Sequence, residues 1–268
     1  MHPDLISLGF LHLKTYGAFM ALGFLAAWQV VAWLCRRMGR DPEPCTNLIM
    51  WMMVSGVVGS RIAYVIEHWS QEFAGHPELL VRIDQGGLMF YGGFILALAV
   101  FVVWCRVKRE PIVPMADLFA VVIPLGHAFG RVGCFFYGCC YGRLSQCACA
   151  VSFPRGSPAW HEQLRAGLIS SEAAAALPVL PAQLFEAVAV FVLFAALLFL
   201  HRRFWNRLPG LITGSYMVGY ACIRFVIEIL RGDPRASIGI FSISQTISLL
   251  LFLLGCTFIL VAFRRGKL

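Results

Sequence analysis

Charge is scarce in this 268-residue sequence, because Asp, Glu, Lys and Arg together make up only 13% of it. Soluble domains carry about 25% charged and about 45–50% apolar residues, whereas 59% of this chain is hydrophobic. This shortage of charge excludes both a water-soluble globule and a disordered chain. The sequence also lacks a basic stripe with interleaved aromatic residues, which excludes nucleic-acid binding, and it contains no internal repeat.

Basic residues outnumber acidic ones by 22 to 14, and they lie in clusters between long apolar runs. A membrane-spanning helix needs about 20 mostly apolar residues, and seven windows meet this requirement. They are Tyr16–Cys35, Leu48–Ile66, Leu88–Cys105, Met115–Phe136, Ala182–Leu200, Leu211–Leu230 and Ile240–Phe263. The sequence therefore predicts an all-α, polytopic membrane protein with about seven transmembrane helices, forming a single domain over residues 1–268.

The basic clusters follow the first, third, fifth and seventh predicted spans. They are Arg36, Arg37 and Arg40; Arg106, Lys108 and Arg109; Arg202, Arg203 and Arg207; and Arg264, Arg265 and Lys267. Since basic connections stay in the cytoplasm, we expect the N-terminus outside and the C-terminus in the cytoplasm. Residues 1–14 lack the basic start of a cleavable signal peptide, so we expect them in the mature chain. An outer loop is expected at about residues 137–181, with a short surface helix over residues 170–177.

Ionisable side chains inside membrane spans are costly and tend to face the protein interior. Arg224, Glu228 and Arg231 are spaced i, i+4 and i+7, which predicts that they share one helix face. The structural interpretation of this group is an ion pair of Arg224 with Glu228 that holds two helices together. Arg61 follows Gly59-Ser60 in another span, and we expect it to pair with Glu186 or with lipid.

Arg131 is the second intramembrane arginine of interest, and it lies between Gly130 and Gly133 near the outer end of its span. Glycines beside a guanidinium leave room for a lipid headgroup, and arginine recognises phosphate through two parallel hydrogen bonds. The alternative is an interfacial arginine that reaches for water. His127 and Cys134 share its helix face; His127 is either a hydrogen-bonded core histidine, which we favour, or a catalytic base.

Five of the ten cysteines fall within a short stretch at the edge of the expected outer loop. They are Cys134, Cys139, Cys140, Cys147 and Cys149. One interpretation is a structural disulfide, most simply from Cys147 or Cys149 to one of the other three. A second is a reactive thiol near Arg131, whose charge would lower the thiol pKa. The third, a thiolate metal site, is the least favoured because the spacing matches no common zinc pattern.

Several short motifs follow one another along nearly the whole chain. They are Tyr16-Gly17, residues 59–64 (GSRIAY), 130–143 (GRVGCFFYGCCYGR), 181–186 (PAQLFE), 219–231 and 242–245 (SISQ). Together they resemble the motifs of bacterial prolipoprotein diacylglyceryl transferases, whose signature is roughly G-R-x-G-N-F-x-N-x-E-x-x-G. The resemblance implies a multi-pass enzyme of the bacterial inner membrane. Such an enzyme moves the diacylglyceryl group of phosphatidylglycerol onto the lipobox cysteine of a prolipoprotein signal peptide. No metal and no organic cofactor are implied.

The resemblance also implies which residues form the site. The catalytic candidates are Arg131, Arg224, Tyr91, His127, Cys134 and Cys139, and the substrate-binding candidates are Tyr16, Arg61, Gly142, Glu228 and Arg231. Arg131 and Arg224 would bind the phosphate, and Tyr91 and His127 would carry protons. Tyr91 stands where the family has a histidine, and a tyrosine with a pKa of about 10 is a poor base at neutral pH.

Cysteines replace two polar residues of the family signature: Cys134 stands at its asparagine and Cys139 at its glutamate. Two alternatives to the transferase therefore stay open. The first is a divergent paralogue with thiol or disulfide chemistry at Cys134, Cys139 and Cys140 that acts on another substrate. The second is a phospholipid-binding membrane protein without catalysis, whose intramembrane arginines only hold a headgroup.

Overall fold

A computed structural model describes residues 4–8, 11–81, 87–205, 207–233 and 237–265 of the chain. Its α-helices are α1 (Thr15–Arg37), α2 (Glu43–Glu67), α3 (Phe90–Val107), α4 (Ile112–Tyr137), α5 (Pro158–Arg165), α6 (Ala182–Phe204), α7 (Leu211–Leu230) and α8 (Ile243–Arg265). All except α5 are long and apolar enough to cross a membrane, which gives seven candidate spans in the described part of the chain. The predicted helical, multi-pass membrane architecture is confirmed, and each predicted window overlaps one of these helices.

Two short antiparallel strand pairs precede the first and the last helix. The pair β1 (Asp4–Leu8) and β2 (Leu11–Lys14) comes before α1, and the pair β3 (Ser237–Ile238) and β4 (Phe241–Ser242) comes before α8. The start of α8 is fixed by a capping box. Ser242 Oγ accepts a hydrogen bond from Gln245 N at 3.2 Å, and Gln245 Oε1 accepts one from Ser242 N at 3.0 Å. These reciprocal bonds satisfy backbone donors at the helix start that would otherwise be unpaired.

The chain divides into two compact units. The larger unit comprises Met1–Gln29 and Ala116–Leu268, and the smaller unit comprises Val30–Met115. In the smaller unit, α2 and α3 pack through glycines: a Cβ added to Gly92 would lie 2.5 Å from the Gly59 carbonyl oxygen. Such close backbone contact is typical of helix pairs in membranes. The same unit contains an ion pair between Arg40 and Glu110, with Nη2 2.6 Å from Oε1.

Asp117 connects two helices of the larger unit, because its carboxylate on α4 caps the start of α7. Oδ2 accepts a hydrogen bond from Gly210 N at 2.6 Å, and Oδ1 accepts bonds from Thr213 N at 2.8 Å and Thr213 Oγ1 at 2.6 Å. A carboxylate is favourable there because a helix N-terminus carries partial positive charge and unpaired N–H groups. Asp117 thereby fixes the start of the helix that carries Arg224.

The segment between α4 and α6 has a small apolar core of its own. Its buried members are Tyr141, Phe153, Ala159, Trp160, Ala176 and Val179. The helix of this segment, α5, begins where Ser157 Oγ accepts a hydrogen bond from Trp160 N at 3.2 Å. Pro158 follows at the first helical position, where its missing N–H costs nothing.

The short helix predicted over residues 170–177 is wrong, since this stretch pairs with neighbouring backbone and side chains instead. Ala176 N donates to Phe153 O at 2.8 Å, and Leu177 N donates to Gln163 Oε1 at 2.6 Å. These bonds use donors that a helix would need for its own ladder. The alanine-rich composition favoured a helix, but the tertiary contacts determine the outcome.

Candidate functional site

Charged side chains from three helices meet in the larger unit. Arg131 Nε on α4 lies 3.0 Å from Glu186 Oε2 on α6, and Arg224 Nη1 on α7 lies 3.8 Å from the same oxygen. The Glu186 side chain is only 1% exposed, and both arginines are mostly buried. We call Arg131, Glu186 and Arg224 the arginine cluster. The two guanidinium groups that the sequence singled out therefore converge on one carboxylate oxygen.

His127 lies one turn before Arg131 on α4 and contacts both charges beside it. Its Nε2 lies 3.0 Å from Arg131 Nε, which donates a hydrogen bond, and 3.2 Å from Glu186 Oε1. Because Nε2 accepts this bond, it has no proton for Glu186 Oε1, which has no hydrogen-bond partner among the described residues. This geometry matches the hydrogen-bonded core histidine that we favoured, and it orients the guanidinium of Arg131.

Arg224 makes two further contacts through its other terminal nitrogen. Nη2 lies 2.8 Å from Glu228 Oε2 and donates to Ser244 Oγ on α8 at 3.0 Å. The predicted ion pair of Arg224 with Glu228 is confirmed, but both residues belong to α7, so the pair does not join two helices. Arg224 Nη1 is buried and has no hydrogen-bond acceptor among the described residues. This nitrogen faces Glu186 Oε2 at 3.8 Å without forming a hydrogen bond to it.

Arg231 does not share the helix face of Arg224 and Glu228, so that prediction is wrong. The helix α7 ends at Leu230, and Arg231 has an extended backbone with φ −72° and ψ 145°. The chain leaves the helix because Arg231 forms an antiparallel bridge with Gly142. Its guanidinium pairs with the Asp233 carboxylate at 2.8 and 2.7 Å and also hydrogen-bonds to Cys140.

Three cysteines at the end of α4 and directly after it form a compact group in the larger unit. The sulfur atoms of Cys134, Cys139 and Cys140 all lie within 4.8 Å of one another. We call these residues the thiol cluster. Cys140 has a positive φ of 62°, a conformation that costs energy for a residue with a side chain and persists only where the surroundings enforce it. Gln183 helps to hold this turn, because its Nε2 donates a hydrogen bond to the carbonyl of the preceding residue, Cys139, at 2.7 Å.

The disulfide predicted between the two downstream cysteines and the thiol cluster is wrong, because Cys147 and Cys149 bond to each other. All three members of the thiol cluster are free. Hydrogen bonds from the Cys134 and Cys139 thiols lower the pKa of Cys140, and the charges of Arg231 and Arg131 act in the same direction. The surroundings of Cys140 therefore stabilise a thiolate, as the reactive-thiol interpretation requires.

Tyr16 stands beside the thiol cluster at the start of α1. A Cβ added to Gly133 would lie 3.0 Å from the Tyr16 ring, so the glycine lets the two helices approach closely. The phenol lies near Arg131 and all three thiols. Its side chain is 40% exposed, which leaves it accessible to a substrate.

Gly142 holds the loop against the end of α7. Its N–H donates to Leu180 O at 2.8 Å, and an added Cβ would lie 2.9 Å from the Leu230 carbonyl oxygen. The contacts of Gly142 are thus those of backbone packing that positions Cys139 and Cys140.

Two of the predicted site residues belong to the smaller unit. Arg61, predicted to pair with Glu186 or with lipid, donates hydrogen bonds to the carbonyls of Leu79, Leu80 and Gly87. Tyr91 lies in the first turn of α3 and is 58% exposed. Its proposed part in proton transfer stays a prediction.

Two buried polar residues of α6, Gln183 and Glu186, also belong to this site, although they were not among the site candidates predicted from the sequence. Glu186 forms ion pairs with both arginines of the arginine cluster, and Gln183, which is fully buried, donates a hydrogen bond that supports the thiol cluster. Their spacing of three residues places both on one helix face. An intramembrane glutamate is itself a signal of a functional or paired group, and that signal would have identified Glu186.

Comparison with known proteins identifies the family. The family model described as prolipoprotein diacylglyceryl transferase matches residues 3–261. The chain belongs to the prolipoprotein diacylglyceryl transferase family.

Curated relatives carry the corresponding enzyme name. A phosphatidylglycerol–prolipoprotein diacylglyceryl transferase 2 of Clostridium perfringens is 30% identical over 91% of this chain and 89% of its own length. The transferase of Rhodospirillum rubrum is 30% identical over 99% of this chain and 93% of its own length. That of Geobacter sulfurreducens is 29% identical over 98% and 96%, respectively. The similarity thus covers nearly the whole length of this diacylglyceryl transferase family member.

Proposed function

We propose that this protein transfers the diacylglyceryl group of phosphatidylglycerol to the lipobox cysteine thiol of a prolipoprotein. The observation that carries the proposal is the convergence of Arg131 and Arg224 on Glu186, in a chain that belongs to the matching family. Catalysis of this transfer requires a site that holds a phosphodiester inside a membrane protein. Buried guanidinium groups meet that requirement.

The arginine cluster suits the leaving phosphate. During transfer, the acceptor sulfur forms a bond to the glyceryl carbon while the bond from that carbon to the phosphate oxygen breaks. Negative charge then accumulates on the departing glycerol phosphate. Arg131 is held by His127 and Glu186, and Arg224 retains a buried donor, Nη1, with no acceptor in the described part of the chain. Donors fixed in advance where charge develops are effective in catalysis.

The other candidates receive proposed roles from their positions. Tyr16 is exposed beside Arg131 and positions the lipid or the incoming peptide. His127 is a positioning residue for Arg131, and Glu228 and Ser244 position Arg224. These roles predict that even the conservative variant Arg131→Lys loses transfer activity, because an ammonium group cannot provide the planar two-pronged contact.

The membrane orientation follows from the basic clusters at the connections and is part of the proposal. We place the N-terminus and the α4–α6 loop outside the plasma membrane of a bacterial cell, and the C-terminus in the cytoplasm. The reaction of Glu172→Cys, in the loop, with a membrane-impermeant maleimide tests this orientation when it is compared with that of the parent protein and its eight free cysteines. Labelling of intact cells above the parent level is expected; labelling above the parent level only after lysis contradicts the orientation.

A transfer assay tests the activity itself. The purified protein is mixed with phosphatidylglycerol labelled in its acyl chains and with a lipobox peptide. We expect label on the peptide, with one glycerol phosphate released for each peptide modified, and no label on a matched peptide with serine in place of cysteine. Arg131→Ala should abolish the transfer. Lipid binding without any turnover would instead support the non-catalytic phospholipid-binding protein.

A further inference from the structure

The reaction of the proposed function requires a thiolate at the acceptor cysteine, so some group must take up the proton of that thiol. The residue at the family's histidine position is Tyr91, an exposed tyrosine in the smaller unit. His127 is engaged with Arg131 and Glu186. A protein thiol is mostly protonated at neutral pH, since its ordinary pKa is about 8.5. Some other group must therefore deprotonate the acceptor cysteine.

The thiol cluster has the composition and size of a zinc site. Zinc binds cysteine sulfur at about 2.3 Å, so the sulfurs of a tetrahedral site lie about 3.8 Å apart. The three sulfurs of Cys134, Cys139 and Cys140 lie within 4.8 Å of one another, so small side-chain rotations bring them to that spacing. Three thiols exclude hard ions such as Mg²⁺ and Ca²⁺, which take oxygen ligands.

Three protein ligands leave one coordination position open, which is the pattern of catalytic rather than structural zinc sites. Two cationic side chains stand beside this cluster: Arg131 and Arg231 both interact with Cys140. Zinc with four thiolates carries two excess negative charges. The two guanidinium groups are already paired with Glu186 and Asp233, and they place N–H donors beside the thiolates. The backbone of the site is also fixed. Gln183 donates a hydrogen bond to the Cys139 carbonyl, and Cys140 has a positive φ.

We propose that Cys134, Cys139 and Cys140 bind a zinc ion whose open position takes the acceptor cysteine of the prolipoprotein as a thiolate. This inference rests on the proposed function. The acceptor thiol loses its proton to water when it coordinates zinc. Its sulfur then forms the bond to the glyceryl carbon as the carbon–oxygen bond to phosphate breaks, and the electron pair leaves with glycerol phosphate. The thioether product is a weak ligand and dissociates, and no oxidant or reductant is consumed.

The position of the thiol cluster suits this step. Cys134 lies three residues after Arg131 on the same helix, so a metal-bound sulfur would be close to the phosphate held by the arginine cluster. Holding nucleophile and leaving group together lowers the entropic part of the barrier. Tyr16, exposed beside all three thiols, marks the side from which the peptide enters.

The test uses the full-length protein in detergent, prepared anaerobically, stripped with a chelator, and titrated with Zn²⁺ or with Co²⁺ as a coloured probe. We expect one ion per chain, with the intense sulfur-to-cobalt absorption of thiolate coordination. Cys134→Ser, Cys139→Ser and Cys140→Ser should each weaken binding by more than about 100-fold, since even second-shell losses cost about 10–100-fold. The matched control is Cys222→Ser, an exposed free thiol on α7, which should bind as the parent does.

A second readout needs no variant and therefore does not depend on whether the serine variants fold. Addition of the lipobox peptide should change the cobalt spectrum by adding a fourth sulfur, and the serine peptide should leave it unchanged. Absence of thiolate-to-cobalt absorption in the parent protein overturns the proposal.

Metal and transferase activity are then measured together, which separates the two claims. Undiminished diacylglyceryl transfer by the stripped protein, still metal-free after the assay, overturns the zinc site and leaves the proposed function intact. A cobalt site that responds to the cysteine peptide, in a protein that transfers no label, supports zinc-bound thiol recognition and overturns the transfer step. Transfer that requires Zn²⁺ and the three cysteines supports both.

Discussion

Replacement of Glu186 by glutamine isolates the charge that holds the arginine cluster together. Glutamine has nearly the same shape, so Glu186→Gln keeps the packing and removes only the negative charge. A hydrogen bond to a charged group contributes about 1.5–3 kcal/mol and a neutral one about 0.5–1.5 kcal/mol. In Glu186→Gln, the contact with Arg131 at 3.0 Å should weaken by most of this difference in energy. The contact with Arg224 at 3.8 Å should weaken by less. We expect the free energy of unfolding to fall by about 2 kcal/mol in total.

Thermal unfolding in detergent measures this loss. For a chain of this size, about 2 kcal/mol corresponds to a decrease of about 4–8 °C in Tm. The matched control is Glu162→Gln, because Glu162 forms an exposed pair with Arg165 at 3.8 Å. Exposed pairs contribute about 0–1 kcal/mol, so the control should leave Tm nearly unchanged. Equal effects of the two variants would refute the reasoning that Glu186 neutralises two buried cations.

A double-mutant cycle tests whether the lost stability comes from the ion pair between Arg131 and Glu186. Arg131→Gln combined with Glu186→Gln should be less destabilising than the sum of the single variants, with a coupling of about 0.5–3 kcal/mol. Additivity of the two substitutions would show that the ion pair does not contribute to stability.

Three further predictions concern other parts of the fold. Asp117→Ala should lower the unfolding free energy by about 2 kcal/mol, the upper end of a helix N-cap contribution. The reason is that three hydrogen bonds at the start of α7 are lost. A stability equal to that of the parent would contradict this expectation. Gly92→Ala should destabilise the protein by about 1–3 kcal/mol through overpacking. Gly56→Ala should be tolerated, because a Cβ added there has no neighbour within 4 Å. Burial raises the pKa of Tyr141 to about 12, whereas the unfolded phenol ionises at about 10. The contribution of Tyr141 is therefore complete below pH of about 10 and lost as pH rises toward 12, and Tyr141→Phe should flatten the fall in Tm over that window.

The membrane helices were predictable because a single constraint, the length of apolar runs, determines them. Charge inside a span also pointed to Arg131 and Arg224, since a buried guanidinium needs a partner. Helix periodicity correctly placed His127 one turn from Arg131. These inferences rest on local rules that hold whatever the remaining fold.

What the sequence could not predict depends on contacts between segments far apart. Arg231 leaves the helix pattern because Gly142, from another loop, pairs with its backbone. The stretch over residues 170–177 follows its bonds to Phe153 and Gln163 rather than alanine propensity. The thiol cluster likewise depends on a turn after α4 with positive φ at Gly138 and Cys140, which no spacing pattern of cysteines reveals.

The most direct measurement of the central claim is the affinity of the protein for phosphatidylglycerol compared with diacylglycerol, which lacks the phosphate. If Arg131 and Arg224 hold one phosphate, Arg131→Gln and Arg224→Gln should each weaken phosphatidylglycerol binding by about 10–100-fold, the equivalent of about 1.5–3 kcal/mol. Their combination should weaken it by less than the product of the two, and diacylglycerol binding should stay as in the parent. Arginine variants that bind phosphatidylglycerol as tightly as the parent, or that lose both lipids equally, would contradict the account.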